Sequence, residues 1–195
     1  DCARLPHLHG IWAENWQQLR QSLPLAHGLQ ELGVYGYGET DLLALTGNTG
    51  LRSVTLKQAP RLERLLGIES LPDLTDLWIA GAHRLHDLSS LGTGGNRLRQ
   101  LRIDTCGGVT AVSDIASQRN LRELWIANCG AIESLRPLAT LTDLTVLYLY
   151  ESTRVADGDL GPLLGLRHLR DFRMMNRKHY RPAVSEIKDH LGLKA

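Results

Sequence analysis

Few residues in this chain stand at spacings that could do metal or covalent chemistry. His7 with His9, and His83 with His86, are close enough along the sequence to act as paired metal ligands. Neither pair has cysteine or carboxylate partners in a recognisable metal pattern. His83 and His86 also fall on a turn of the repeat described below, so both pairs read as surface histidines. The three cysteines, Cys2, Cys106 and Cys129, cannot all pair, and without a CxxC there is no zinc ribbon or dithiol redox motif. The glycine-rich run from Gly33 to Gly38 looks like a phosphate loop, but it has no lysine and no helix directly after it. GxxxxGK(S/T), GxSxG and HExxH do not occur. The expectation is therefore a chain that is not an enzyme, with no catalytic, cofactor or metal site.

Rings and guanidinium groups, by contrast, recur at one interval. Trp78, Arg102, Trp125, Tyr148 and Arg173 follow one another at steps of 24, 23, 23 and 25 residues. The leucines show what would hold them. An apolar residue recurs on the template LxxLxLxx(small)xxL, most clearly in Leu74, Leu77, Ile79, Ala82, Leu85, then Leu98, Leu101, Ile103, Cys106, Val109, then Leu121, Leu124, Ile126, Cys129, Ile132. Its first position is taken by Leu8, Leu29, Leu51, Leu74, Leu98, Leu121, Leu144 and Leu169, so the period runs from 21 to 25 residues. A fixed period in this range marks a leucine-rich repeat solenoid, whose coils bury their apolar faces only against one another.

Side chains alternate along the LxLxx stretch, so its Leu and Ile positions point into the coil and the positions between them point out. The expected fold is an α/β repeat: a right-handed horseshoe with a concave parallel β-sheet, short 3₁₀ or single-turn helices on the convex side and a C-terminal capping helix. Ala59, Ala82, Cys106, Cys129 and Ser152 are expected to form a small inward column after the strands. Leu65, Leu88, Val112 and Leu135, each followed three residues later by Ile68, Leu91, Ile115 and Leu138, supply the convex stripe. Cys106 and Cys129 share a slot in adjacent coils, about 5 Å apart. A disulfide is conceivable there, but parallel side chains favour two buried thiols and hence a reducing, cytoplasmic setting.

The outward fifth position of the template reads Trp12, Gly33, Thr55, Trp78, Arg102, Trp125, Tyr148, Arg173, and the seventh adds Tyr35 and Tyr150. Exposed aromatics gathered with arginine have the composition of a binding hot spot. Trp78, Arg102, Trp125, Tyr148, Tyr150 and Arg173 are therefore the candidate partner-binding residues, with Arg102 between two indoles. The alternative is a ladder that only stiffens the sheet. A second column, Arg52, Arg99, Arg122 and Arg170, reads as a solvated edge neutralised by Glu31, Asp76, Glu123 and Asp171.

A net charge of +1 argues for neither nucleic acid nor a membrane surface, and no apolar run approaches the roughly 20 residues that cross a bilayer. One domain is expected over residues 1–195: an irregular N-terminal coil or cap (1–28), regular repeats (29–175) and a C-terminal cap (176–195), monomeric in isolation. Trp16 and Tyr37 stand in slots that should be small, so the first two coils should be distorted. The segment Asp157 to Leu166 should be a longer convex helix, and Pro182 to Leu191 the capping helix. The start at Asp1, within repeat-like sequence, is expected of a piece of a larger protein.

Leu135 to Leu149, with its ProLeuAlaXLeuThrXLeu turn, resembles the internalin-type bacterial leucine-rich repeat. Met174 to Pro182 resembles the close of repeat domains at the carboxyl end of actinobacterial NACHT-type signal-transduction NTPases, and 18 Arg against 4 Lys suits a GC-rich genome. The first resemblance implies the solenoid and, as an alternative function, a surface or secreted adhesin. The second implies a ligand-sensing or autoinhibitory module whose protein or peptide partner, on the concave face, includes an intramolecular NTPase domain.

Overall fold

The computed structural model describes residues 8–26, 28–93, 95 and 97–193. Cys2 and His7, and with the latter the His7–His9 pair, lie outside the described residues. The strands are β1 (Gly10–Ala13), β2 (Glu31–Tyr35), β3 (Ser53–Lys57), β4 (Asp76–Ala80), β5 (Gln100–Asp104), β6 (Glu123–Ala127), β7 (Ala131–Ile132), β8 (Val146–Tyr150), β9 (Arg154–Val155) and β10 (Asp171–Met174). Eight of them form one sheet in the order β1-β2-β3-β4-β5-β6-β8-β10, and β7 pairs with β9. All the pairings are parallel.

Register follows the template. Leu77, Leu101, Leu124 and Leu147 pair in succession, as do Ile79, Ile103, Ile126 and Leu149, and all eight are buried. A slip of one residue would turn every one of these side chains into water, forfeiting roughly 1.5–3 kcal/mol for each. The second template position adds a repeated hydrogen bond. The carbonyls of His9, Gln30, Arg52, Thr75, Arg99, Arg122 and Thr145 each accept two N–H groups from the next coil, at 2.7–3.1 Å.

After each of β2 to β6 and after β8 the chain turns through one left-handed residue. Gly36, Gln58, Gly81, Thr105, Asn128 and Glu151 hold φ between 49° and 71°. The chain then crosses to the far side of the coil through short segments: 3₁₀ turns at Leu43–Leu45, Ile68–Ser70, Ile115–Ser117, Arg136–Thr140 and Gly161–Gly165, and one four-residue helix at Ser90–Thr93. The stripe Leu65, Leu88, Val112, Leu135 with Ile68, Leu91, Ile115, Leu138 is buried there throughout, as its spacing requires.

At the amino end Trp16 and Tyr37 are both buried, with ring centroids 4.5 Å apart. Two large rings thus fill the slots that Ala59, Ala82, Cys106 and Cys129 occupy in later coils. The Trp16 indole donates to Glu39 Oε1 and the Tyr37 hydroxyl to the Asp41 carbonyl. Trp16 opens α1 (Trp16–Ser22), capped by Asn15, whose Oδ1 accepts from the Gln18 N–H. The short helix Ser90–Thr93 is α2.

At the carboxyl end α3 (Val184–Leu191) begins two residues after Pro182 and stops at Gly192, which is left-handed. The Glu186 carboxylate accepts the Ala183 N–H, and Val184 and Ile187 are buried.

Two expectations fail. Asp157 to Leu166 is not a longer helix. It carries the same five-residue 3₁₀ turn as the coil before it, because Gly158, Gly161, Pro162 and Gly165 do not support a helix interior. The two extra residues go into the loop after β9, between the buried Val155 and Leu160. The inward column also does not continue through Ser152, which is exposed. Thr153 takes the slot, buried, with its Oγ1 accepting the Cys129 N–H. Glu151, like Asn128, is the left-handed residue that follows its strand, but the buried slot comes two residues after it rather than one.

Candidate functional site

The outward row assembles in register. Trp78 pairs with Arg102, Arg102 with Trp125, Trp125 with Tyr148, and Tyr148 with Arg173. Each side chain is set by its strand, whose other face is locked in the core, so neighbours meet at the strand spacing of about 4.8 Å. The stack is uneven. The Arg102 guanidinium lies 4.0 Å from the Trp125 ring centroid but 5.8 Å from that of Trp78. Lys57, in the seventh-position row, takes the closer cationic place on Trp78, at 4.3 Å. Trp125 stacks on Tyr148 at 4.5 Å, and Arg173 covers Tyr148 at 4.6 Å.

Acidic groups fix the two arginines. Glu123 lies 3.7 Å from Arg102 and Asp171 lies 3.4 Å from Arg173. These carboxylates thus lean toward the aromatic row rather than pairing with the Arg52, Arg99, Arg122, Arg170 column. The Tyr148 hydroxyl also donates to Asp171. Burial first, then that hydrogen bond and the carboxylate's charge, raises the Tyr148 pKa above its ordinary value.

Exposure separates the candidates. Trp78, Trp125 and Tyr150 are half-buried on the outer face of the sheet, and Arg173 is exposed. Tyr148 departs from the expectation that its phenol faces water: only 7% of it is exposed. Trp125, Arg173 and Tyr150 surround it, the last at 6.0 Å edge-on, so its ring supports the others from beneath. Trp12, in the same row but remote from the ladder, lies flat over Gly33, where a Cβ would come within 2.4 Å of its ring. It is 69% exposed.

Between Trp78, Arg102, Trp125 and Tyr150 the face sinks into a cavity of about 90 Å³. Asp104 forms its acidic wall and Ala127 part of its lining. The depression exists because the seventh position is Ala80, Asp104 and Ala127 in three successive coils. Asp104 Oδ1 is held by the Thr105 hydroxyl and the Asn128 amide. The Nε of Arg102 and the Nε1 of Trp125 are buried without a hydrogen-bond partner among the described residues. Sequence reasoning named the walls but missed Lys57 and Asp104 as members of the site. The signal was present in the seventh-position row, where two alanines flank a charged residue.

The remaining chemistry-bearing residues are structural or solvated. Cys106 and Cys129 are free and buried, their thiols turned to the carbonyls of Asp104 and Ala127. Burial pushes their pKa values up to about 12 and about 11, which removes thiolate reactivity at neutral pH. His83 and His86 are exposed, and the His86 ring rests on the Arg84 carbonyl. Gly33 to Gly38 runs from the middle of β2 through a left-handed Gly36 to the buried Tyr37. Among the described residues no group of three or more His, Cys, Asp or Glu is placed to hold a metal, and no helix is long and apolar enough to cross a membrane.

A parallel strand per coil, an unbroken leucine ladder and short 3₁₀ returns define a leucine-rich repeat solenoid. Solved structures of the same fold include an internalin C2 from Listeria monocytogenes, with a TM-score of 0.66 and 21% identity over 89% of this chain and 73% of that one. Another internalin from that organism gives a TM-score of 0.62 and 19% identity over 87% of this chain and 54% of its own. The ectodomain of a plant membrane receptor kinase from Arabidopsis thaliana, solved in complex with Casparian strip integrity factor 2, gives 0.51 and 18% over 89% of this chain and 22% of its own. The chain thus spans about half of the second internalin and less than a quarter of the receptor ectodomain. No family model and no curated protein matches the sequence.

Proposed function

We propose that this chain is a non-enzymatic recognition module that binds a protein or peptide on the outer, concave face of its sheet. The observation that carries the reading is the half-exposed pair Trp78 and Trp125 around a cavity that Tyr150 and Asp104 complete. Rings already stacked on cations lose little side-chain freedom on binding, so contact with them costs less entropy than contact with free side chains. Arg102 and Arg173 supply directed donors, and Tyr148 holds the rings in place. A receptor ectodomain of this fold solved with a partner bound supports the same use of the architecture.

In this reading the module is the ligand-sensing or autoinhibitory part of a larger bacterial signalling NTPase in the cytoplasm, which the likeness of Met174 to Pro182 supports. An internalin-like surface adhesin is the alternative, supported by Leu135 to Leu149 and by the internalin folds. A Walker motif or a secretory signal in the parent reading frame separates the two.

The test of binding is selection of a random-peptide display library on the wild-type chain. The selected peptides should lose at least about tenfold in affinity, or 1.4 kcal/mol, to Trp78→Ala and to Tyr150→Ser. They should keep it with Leu66→Ser, a change at an exposed leucine outside the strands. Equal binding by all four proteins would remove the outer face from the proposal.

A further inference from the structure

The repeated hydrogen bond of the second template position breaks off at one place. Seven carbonyls, from His9 to Thr145, each receive two N–H groups from the following coil. The eighth, that of Arg170, stands at the start of β10, the strand that ends the sheet, and no described residue donates to it. The capping helix does not cover this edge. It buries Val184 and Ile187 and packs against the 3₁₀ turn Gly161–Gly165, while its last turn, from Lys188 to Leu191, stands off from β10. The space between is a groove of about 610 Å³ with a strand edge for one wall and a helix end for the other.

The charge of the groove is one-sided. Arg167, Arg170, Arg173 and Lys188 line it, against Asp171 as the single acid. Asp171 already faces Arg173 at 3.4 Å and accepts the Tyr148 hydroxyl. Three cations of the lining are therefore uncompensated within it. At the opposite edge β1 reads Gly10, Ile11, Trp12, Ala13 and carries no charge.

The geometry points to the β10 edge as a strand-addition site for an extended acidic segment of a protein partner. Running parallel to the coils, such a segment gives the Arg170 carbonyl the two N–H groups that every earlier coil receives. Its carboxylates meet Arg167, Arg170 and Lys188. Main-chain pairing supplies affinity and the charges supply selectivity, as in other strand additions. A second copy of this chain is the wrong occupant, because two β10 edges facing each other would bring their arginines together. Basic side chains on an open edge suppress self-pairing while leaving it open to the opposite charge. This site adjoins the aromatic face and shares Asp171 and Arg173 with it, but Arg167, Arg170, Lys188 and the strand edge lie outside that face.

The probe is a short fluorescein-labelled peptide of alternating Val and Glu, followed by anisotropy at low and physiological salt. Two relatives serve as controls: the same peptide N-methylated at every residue, which keeps its charges but has no N–H left to donate to the edge, and its Val-Lys counterpart. Wild type should bind the acidic peptide, with affinity falling as salt rises, and should bind the methylated and basic peptides at least about tenfold more weakly. Arg167→Glu with Arg170→Glu, both exposed, should weaken the acidic peptide by a similar factor. Trp78→Ala should bind it as wild type does, so loss of the proposed face and loss of this site are read apart. Hydrogen exchange should show new protection in β10 when the acidic peptide is bound. Absence of binding, equal binding of the methylated peptide, or self-association through β10 overturns the inference.

Discussion

The uneven placement of Arg102 predicts which of its two indoles it is coupled to. Its guanidinium lies 4.0 Å from Trp125 and 5.8 Å from Trp78, with 27% of the side chain exposed. A cation over a ring at the shorter distance and this degree of shielding contributes about 1 kcal/mol, and near the 6 Å limit about half that or less. The Glu123 ion pair, at 3.7 Å and about a third exposed, adds roughly 0.5 kcal/mol or less. Arg102→Ala should therefore cost about 2 kcal/mol. Trp125→Ala should cost about 3 kcal/mol, since it loses the Tyr148 stack and buried ring area as well. The assay is urea unfolding of Arg102→Ala, Trp125→Ala, Trp78→Ala and the two double variants that include Arg102. The coupling of Arg102 to Trp125 should be about 1 kcal/mol and that to Trp78 no more than about half as large. A Trp125 coupling within the additivity error of about 0.3 kcal/mol, or a larger Trp78 coupling, would refute the reasoning.

Three further predictions concern the scaffold. Gln118 is buried, its amide donating to the carbonyls of Leu91 and Gly95 and accepting from the N–H groups of Arg97 and Leu98. Gln118→Leu should lose about 4 kcal/mol, at roughly 1 kcal/mol per bond, and lower the thermal midpoint by about 8–16 °C. A drop under about 3 °C contradicts the clamp. Thr105 is β-branched and left-handed, with φ 55°. Thr105→Asn should raise the midpoint by about 1–4 °C, since Asn tolerates this conformation; a fall in differential scanning fluorimetry counts against stored strain.

The thiols give the third. Cys106 and Cys129 have folded pKa values raised to about 12 and about 11 from 9.0. The folded state holds their protons where the unfolded state has lost them, so their contribution is intact below pH 9 and declines as pH rises from 9 to about 11 for Cys129 and to about 12 for Cys106. Denaturant titrations should show that decline become shallower in Cys106→Ala with Cys129→Ala. An unchanged slope contradicts it.

The rows of the outer face were readable in the sequence because the register has no offset. Every strand pairs position for position, so counting from Leu74, Leu98, Leu121 and Leu144 places Trp78, Arg102, Trp125 and Tyr148 side by side. Distances within a row are another matter. They depend on ring tilt, and nothing in the spacing says that Lys57 turns onto Trp78 or that Tyr148 sinks to the Asp171 carboxylate. The 25-residue step concealed where its extra residues go, so Ser152 was placed in a slot that Thr153 holds. Gln118 left a trace that could have been followed. Asn48 occupies the same place, three residues before the leucine of the next coil, and its amide likewise donates to two buried carbonyls, those of Leu23 and Ala26.

The most direct test of the account is to map where a library-selected peptide touches the chain. In proton–nitrogen correlation spectra, titration with that peptide should shift the indole Nε1–H resonances of Trp78 and Trp125 and the backbone amides of β4, β5, β6 and β8. The amides of the 3₁₀ turns Ile68–Ser70, Ile115–Ser117 and Arg136–Thr140 should stay in place. Shifts confined to those turns, with both indoles unmoved, would contradict a recognition face built on the aromatic ladder.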